Sequence, residues 1–239
     1  MVYGETGIFP VEYQINIRMI SFWISLLTGK QEKISSILYK MCLSLHNKYL
    51  LEFKWLDKIK EILVQCGLPY VFEQQHMLEK KWLENTLLPK VKYHLKDLIL
   101  QKWYNEVTLN SEKCFYYKNF EMDYQLKNYL TILPKSLWVP LIKFRTRNHK
   151  LPIEFNSWTK KFKPENERKC VICDLNDLGD EYHYVMICPV FREIREIYLK
   201  KYYRNRPSVF KFTTLMQSKN HKIMTNLAKF IREIMEIFQ

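Results

Sequence analysis

The sequence predicts a mainly α protein: a helical bundle, then a small module around clustered cysteines, then C-terminal helices. Three observations carry this. The 239-residue chain holds only 5 glycines beside abundant Leu, Ile, Lys and Glu, residues that favour helices. Apolar side chains recur at intervals of three and four along most of its length. Cys170, Cys173, His183 and Cys188 then interrupt that pattern in the order Cys-x2-Cys-x9-His-x4-Cys.

Taken in order, Ile15, Met19, Phe22, Trp23 and Leu26 predict an amphipathic helix over 11–28. Ile34, Leu38, Met41, Cys42 and Leu45 repeat the spacing and predict a second over 31–49, both stripes being expected to face a core. Trp55, Ile59, Ile62, Leu63 and Cys66 mark a third, closed by Gly67 as its C′ residue with Pro69 just beyond. A fourth is expected over 75–88, and Pro89 is expected to open a fifth reaching about 107. The period fades over 108–120, where Phe115, Tyr116 and Tyr117 read as strand or loop. It returns over 121–131 and 135–147. Pro152 and Pro164 bound irregular backbone, and Pro189 is placed to open a helix to about 203. Ile223, Leu227, Phe230, Ile231 and Ile234 share one face of the last helix. A soft boundary near 135 divides a helical domain, 1–135, from a basic module with C-terminal helices, 136–239.

The four spaced residues point to a metal. Three thiolates and an imidazole suit tetrahedral Zn2+, and all four positions filled by protein make a site that is structural and not catalytic. A redox reading of Cys170 and Cys173 lacks the strand-helix-strand setting it needs. Asp174 after Cys173 removes a c-type haem reading. Cys42, Cys66 and Cys114 read as buried apolar residues. The fold class is therefore mainly α, a helical bundle followed by a small zinc-knuckle module and C-terminal helices.

Charge suggests a partner. The formal charge is +13 and the pI near 9.3, which favours polyanions, nucleic acid first and anionic membrane second. Over 143–169, nine bases (Lys143, Arg145, Arg147, Lys150, Lys160, Lys161, Lys163, Arg168 and Lys169) face three acids. Over 192–206, six bases that include Arg192, Arg195, Lys200 and Lys201 face two acids. Between these flanks Asp174, Asp177, Asp180 and Glu181 make the intervening loop acidic. These thirteen named lysines and arginines are the candidate nucleic-acid contacts. Phe144, Trp158, Phe162, Tyr182 and Tyr184 interleave with them, and any exposed ring there stacks on unpaired bases, with Phe144 and Trp158 expected mainly in the core. The apolar run 19–27 is too short to span a bilayer and lacks a basic leader, so neither a secretory signal nor a membrane contact is expected. Cysteines in metal spacing place the chain in a reducing intracellular compartment, nuclear or cytoplasmic.

The words around the cysteines carry a resemblance. Phe144-Arg-Thr-Arg-Asn-His-Lys-Leu-Pro-Ile-Glu154, Trp158, Arg168-Lys-Cys170-Val-Ile-Cys173 and Asp180-Glu-Tyr-His183-Tyr-Val-Met-Ile-Cys188-Pro189 resemble the C-terminal region of non-LTR (LINE-type) retrotransposon reverse transcriptases. Val2-Tyr-Gly-Glu-Thr-Gly-Ile-Phe-Pro10, Arg18-Met-Ile-Ser-Phe-Trp23 and Arg204-Asn-Arg-Pro-Ser208 resemble that region as well, so the likeness covers nearly the whole chain. It implies a helical segment that follows the polymerase domain, with zinc on Cys170, Cys173, His183 and Cys188. It also implies binding of template RNA or target DNA beside that domain during target-primed reverse transcription. The polymerase's adjacent Asp-Asp pair is absent, and so are the endonuclease carboxylates. The resemblance thus implies a fragment or decayed copy without either active site, partnered by RNA, DNA and an upstream polymerase domain.

Two readings follow: a nucleic-acid-binding accessory region, or a helical protein-interaction or structural module that zinc stabilises. An enzymatic reading rests only on pairs such as His149 with Glu154 or His76 with Glu73, which arise by chance in most chains.

Overall fold

The computed structural model describes residues 1–109, 114–154 and 163–238. These residues are mainly helical and contain no β-strand; isolated antiparallel bridges join Thr6 to Leu126 and Lys169 to Leu178. No helix among them is long and apolar enough to cross a membrane. Chain contacts divide the protein into a first unit, Phe9–Lys102, and a second that joins Met1–Ile8 to Trp103–Gln239. The division therefore falls near 102 and not near 135, because it follows packing where the expected boundary followed charge.

The N-terminal helix α1 (Val2–Thr6) belongs to the second unit. The first unit contains α2 (Val11–Thr28), α3 (Ile34–Tyr49), α4 (Lys54–Gln65), α5 (Tyr70–Glu73), α6 (Lys80–Trp82) and most of α7 (Leu88–Leu109). Ile20, Trp23, Leu56, Ile59, Leu63 and Leu87 lie in its core. Trp23 stacks on Phe72 with ring centroids 6.0 Å apart and donates its indole N–H to the Tyr39 hydroxyl at 2.8 Å. That hydroxyl donates in turn to Gln75 Oε1, so the buried polar groups pair with each other.

Helix α4 ends as its sequence predicts. Gly67 takes φ +69°, its N–H reaches Val64 O at 2.9 Å, and the Leu68 N–H reaches Leu63 O at 2.8 Å. This is a Schellman closure, in which glycine adopts the left-handed conformation without a Cβ clash. The helix expected from Pro89 is α7, but it follows the preceding helical turn without a break. Pro89 stands inside α7, behind a wider turn, Leu83–Leu87, whose bonds reach five residues back. A proline ring cannot donate and crowds the carbonyl four residues earlier, and the wider turn absorbs that strain.

Helix α3 is turned from its expected orientation. Ser36 and Tyr39 are its buried residues, whereas Ile34, Leu38, Met41, Leu45 and Tyr49 are exposed. Periodicity located the apolar stripe but not the side from which the first unit covers the helix.

The second unit contains α1, the end of α7, α8 (Tyr117–Phe120), α9 (Asn128–Ile132), α10 (Lys135–Arg145), α11 (Arg192–Tyr198), α12 (Lys201–Arg204), α13 (Val209–Met216) and α14 (His221–Ile237). Helix α14 packs on α10 and α11, and Leu141, Phe144, Phe191, Leu227, Phe230 and Ile234 meet in that core. The helix expected over 121–131 begins only at Asn128. Ahead of it the chain runs extended beside α1, with the Gln125 N–H on Gly4 O (3.2 Å) and the Lys127 N–H on Glu5 O (3.0 Å). Gly7 permits this approach, since a Cβ there would stand 2.6 Å from the Leu126 backbone nitrogen, while Gly4 makes room for the Trp103 ring. The helix expected from Pro189 to about 203 breaks at Leu199, which turns extended and is buried. Helix α13, not foreseen, starts on the Ser208 hydroxyl, which accepts from the Lys211 N–H at 3.3 Å.

Candidate metal centre

Two local structures bring the four sulfur and nitrogen ligands together. The first is a tight reversal. The Cys170 N–H donates to Asp177 O at 2.8 Å, and the Gly179 N–H donates to Arg168 O at 2.9 Å. The turn between them carries Cys173 and includes Asn176 at φ +56°, a conformation asparagine tolerates better than most residues. Gly179 is required by contact: a Cβ there would lie 2.9 Å from Pro152 and 3.1 Å from Lys169 O.

The second is the wide turn His183–Ile187. Asp180 Oδ1 caps it by accepting the His183 N–H at 2.7 Å, and the Cys188 N–H closes on His183 O at 2.7 Å. In a regular α-helix, residues five apart diverge by more than a quarter turn. The wider turn brings His183 and Cys188 to one side despite that spacing.

The ligand atoms of Cys170, Cys173, His183 and Cys188 all lie within 4.8 Å of one another, and this cluster can hold a metal ion. Cys173 Sγ is 3.4 Å from His183 Nε2, while Asp177 Oδ2 faces the other ring nitrogen at 3.6 Å. A carboxylate there orients the imidazole and raises its basicity as a ligand. Burial lowers the His183 pKa and so favours the neutral ring that coordinates metals.

The thiols differ among themselves. Burial acts to raise Cys170, but the Tyr184 hydroxyl and the backbone amides of Ile172 and Cys173 outweigh it and favour the thiolate. Burial, reinforced by charge on Cys170 and Cys173, pushes Cys188 up to about 12. Burial likewise raises Cys173. One thiolate forms readily, and the others resist because like charges crowd a partly dry site. A cation at the centre removes that conflict.

Arginines brace the cluster from behind. Arg195 is buried and donates to three carbonyl oxygens: Val185 (2.7 Å), Cys188 (2.9 Å) and Tyr184 (3.3 Å). Arg168 is also buried and donates to Ile153 O (2.7 Å) and Lys163 O (2.9 Å). Arg147, at φ +56°, pairs with Glu154 (3.1 Å), Glu165 (3.1 Å) and Glu181 (3.3 Å), and Glu181 also meets His149 Nε2 at 2.8 Å. Arg145 is buried against Glu5 and Glu121.

Four of the thirteen candidate contacts, Arg145, Arg147, Arg168 and Arg195, are therefore internal braces and not surface cations. Lys143, Lys150, Lys163, Arg192, Lys200 and Lys201 are exposed, and Lys169 is partly exposed. Lys160 and Lys161 lie outside the described residues, as do Trp158 and Phe162. Phe144 is buried as expected; Tyr184 is buried too, and Tyr182 half-buried. Residue type carried a usable signal: a guanidinium satisfies several buried carbonyls at once, whereas an ammonium is held at the surface by its hydration. The expected acidic loop divides in the same way. Asp174 and Asp177 are exposed, but Asp180 and Glu181 are buried, and burial pushes Asp180 up to about 6. Exposed Tyr202 and Phe210 are aromatic surface residues the sequence reading did not select. Cys66 and Cys114 are buried as expected, and Cys42 is partly so.

No protein-family model, curated protein or solved structure matches the chain.

Proposed function

We propose that this chain is a nucleic-acid-binding accessory module, organised by structural Zn2+ on Cys170, Cys173, His183 and Cys188. The observation that carries the reading is the separation of its cations. Arg145, Arg147, Arg168 and Arg195 neutralise buried acids and carbonyls within the second unit, while Lys143, Lys150, Lys163, Arg192, Lys200 and Lys201 remain at the surface of the same unit. Zinc follows from three sulfurs and one nitrogen with every position filled. A zinc tetrahedron with Zn–S bonds of about 2.3 Å has S···S edges of about 3.8 Å. Ligand atoms within 4.8 Å reach that geometry by small side-chain shifts.

In this reading the module works beside a reverse-transcriptase polymerase of the non-LTR type, as the sequence resemblance implies. The Asp-Asp chemistry belongs to that other domain, because this chain has no such pair. Filter binding to structured RNA and single-stranded DNA at rising salt tests the proposal. Affinity falls steeply with salt as counterions released by the lysines lose their advantage. Absent or salt-insensitive binding refutes it.

The exposed seam of α3 favours a second reading, a protein-interaction module. Ile34, Leu38, Met41 and Leu45 follow one another at alternating intervals of four and three, the spacing of a helix-pairing seam. Capture of a defined protein that survives nuclease treatment and is lost in Leu38→Glu supports this reading.

A further inference from the structure

From residue 197 to residue 232 the sequence contains no Asp or Glu but nine Lys and Arg. The structure folds this stretch around a cavity of about 180 Å3 between α11, α12, α13 and the first turns of α14. Leu199, Tyr203, Leu215 and Ile223 form apolar walls, and Lys200, Lys222 and Asn226 complete the lining. Both lysines are exposed. The Tyr198 hydroxyl is committed to Glu233 Oε1 at 2.5 Å, which leaves the ring as a further wall. Drug-sized ligands need pockets of about 300–1,000 Å3, so this space suits a single flat ring system. The first turn of α14 carries no acid, and its N-terminus adds partial positive charge on the same side.

Two of the aromatic rings along this stretch are exposed. Phe210 is 72% exposed and Tyr202 54%, so both rings are open to a stacking partner. The Lys211 ammonium stands 4.9 Å from the centre of the Tyr202 ring. Cations with exposed aromatics and a ring-sized apolar recess match the chemistry of an unpaired nucleotide chain: phosphates for the lysines, one base for the recess, neighbouring bases for the rings. A duplex keeps its bases stacked inside and offers no ring to the recess.

We infer that the 197–232 stretch binds single-stranded nucleic acid, with one base inserted between α11 and α14 beside Lys200 and Lys222 and neighbouring bases on the exposed rings of Tyr202 and Phe210. This rests on the proposed nucleic-acid function and narrows it to unpaired strands and to this stretch.

Fluorescence anisotropy on the full zinc-loaded chain tests it, using a labelled 15-nucleotide single strand, as RNA and as DNA, and the matching duplexes. The single strands are expected to bind at least ten-fold more tightly than the duplexes. Phe210→Ala, at an exposed position, is expected to weaken single-strand binding about five- to 150-fold, the range for loss of one base–aromatic stack. Lys200→Ala with Lys222→Ala is expected to reduce the slope of log affinity against log salt by about 1.4, since each single-strand phosphate contributes about 0.7. Asn226→Trp, which fills the recess, is expected to abolish the single-strand preference with the salt slope kept. Circular dichroism melting confirms that each variant folds. Equal binding of strand and duplex, or unchanged binding by all these variants while Lys143→Ala/Lys150→Ala weakens it, overturns this site and leaves the broader reading standing. No salt-dependent binding to any of the probes overturns both.

Discussion

Glu5 and Arg145, 140 positions apart in sequence, form a buried ion pair in which the guanidinium Nε reaches both carboxylate oxygens, at 3.1 and 3.2 Å. Arg145 Nη2 adds Glu5 Oε1 at 3.0 Å and Glu121 Oε2 at 3.3 Å, and Nη1 donates to Met216 O at 2.6 Å. The Tyr129 hydroxyl donates to Glu5 Oε2 at 2.6 Å, and the Phe120 ring covers the guanidinium at 4.7 Å. Removing one member leaves its partner charged, dry and unpaired. Arg145→Ala is therefore expected to lower stability by about 3–5 kcal/mol. Replacing both charges, as in Glu5→Leu/Arg145→Met, is expected to cost less than Arg145→Ala alone. Urea unfolding followed by circular dichroism measures both, and a double variant worse than the single rejects the account.

Removing the metal is expected to loosen the second unit first. The reversal at Cys170 and the wide turn at His183 converge on the proposed metal position, and Cys170 and Cys188 belong to that unit's core. With metal loss confirmed by elemental analysis, hydrogen exchange is expected to rise over 163–200 and to stay unchanged over 9–102. Unaltered exchange throughout would deny the ion any structural role.

Arg195→Lys is expected to separate bracing from binding. A lysine cannot satisfy the three carbonyls that Arg195 holds, so about 1.5–3 kcal/mol of stability is lost. The metal is expected to leave at lower chelator concentration, while the salt slope of nucleic-acid binding stays the same. A lower slope with intact metal affinity would return Arg195 to the surface contacts.

Gly67 and Gly7 share left-handed backbone at φ +69° and +66° but differ in what surrounds them. A Cβ at Gly67 meets nothing within 4 Å, and Gly67→Ala is expected to cost only the conformational strain, about 1–2 kcal/mol. At Gly7 the same Cβ would sit 2.6 Å from the Leu126 backbone nitrogen, so Gly7→Ala is expected to cost more and to disturb α1. Thermal melting orders the two, and equal losses contradict the contact argument.

Burial pushes the Cys66 thiol up to about 11. Its thiolate is scarce at pH 8, and alkylation is expected to be slow there and to accelerate as pH approaches that value. Mass spectrometry of iodoacetamide-treated native protein reads this directly; rapid modification at pH 8 would place Cys66 outside the core.

What the sequence made legible was local. The Gly67 closure, the span of α2 and the companionship of Cys170, Cys173, His183 and Cys188 depend on residues a few positions apart. Long-range packing decided the rest. Nothing near Ile34 reveals which side of α3 is covered, and nothing near Arg145 reveals that its counter-charge is Glu5. The charge run over 143–169 mixed two populations that residue type already hinted at: among the described residues, its lysines reach water and its arginines hold carbonyls and acids.

The membership of α1 has a practical consequence for dissecting this protein. The first unit is inserted into the sequence of the second, so a cut near residue 102 does not yield two self-sufficient pieces. A fragment beginning at Trp103 lacks Glu5 and retains a guanidinium dehydrated for a partner on the discarded piece. Adding the missing octapeptide in trans, or splicing residues 1–8 directly ahead of 103 through a flexible joint, is the rational way to isolate the half that carries the cysteine–histidine cluster.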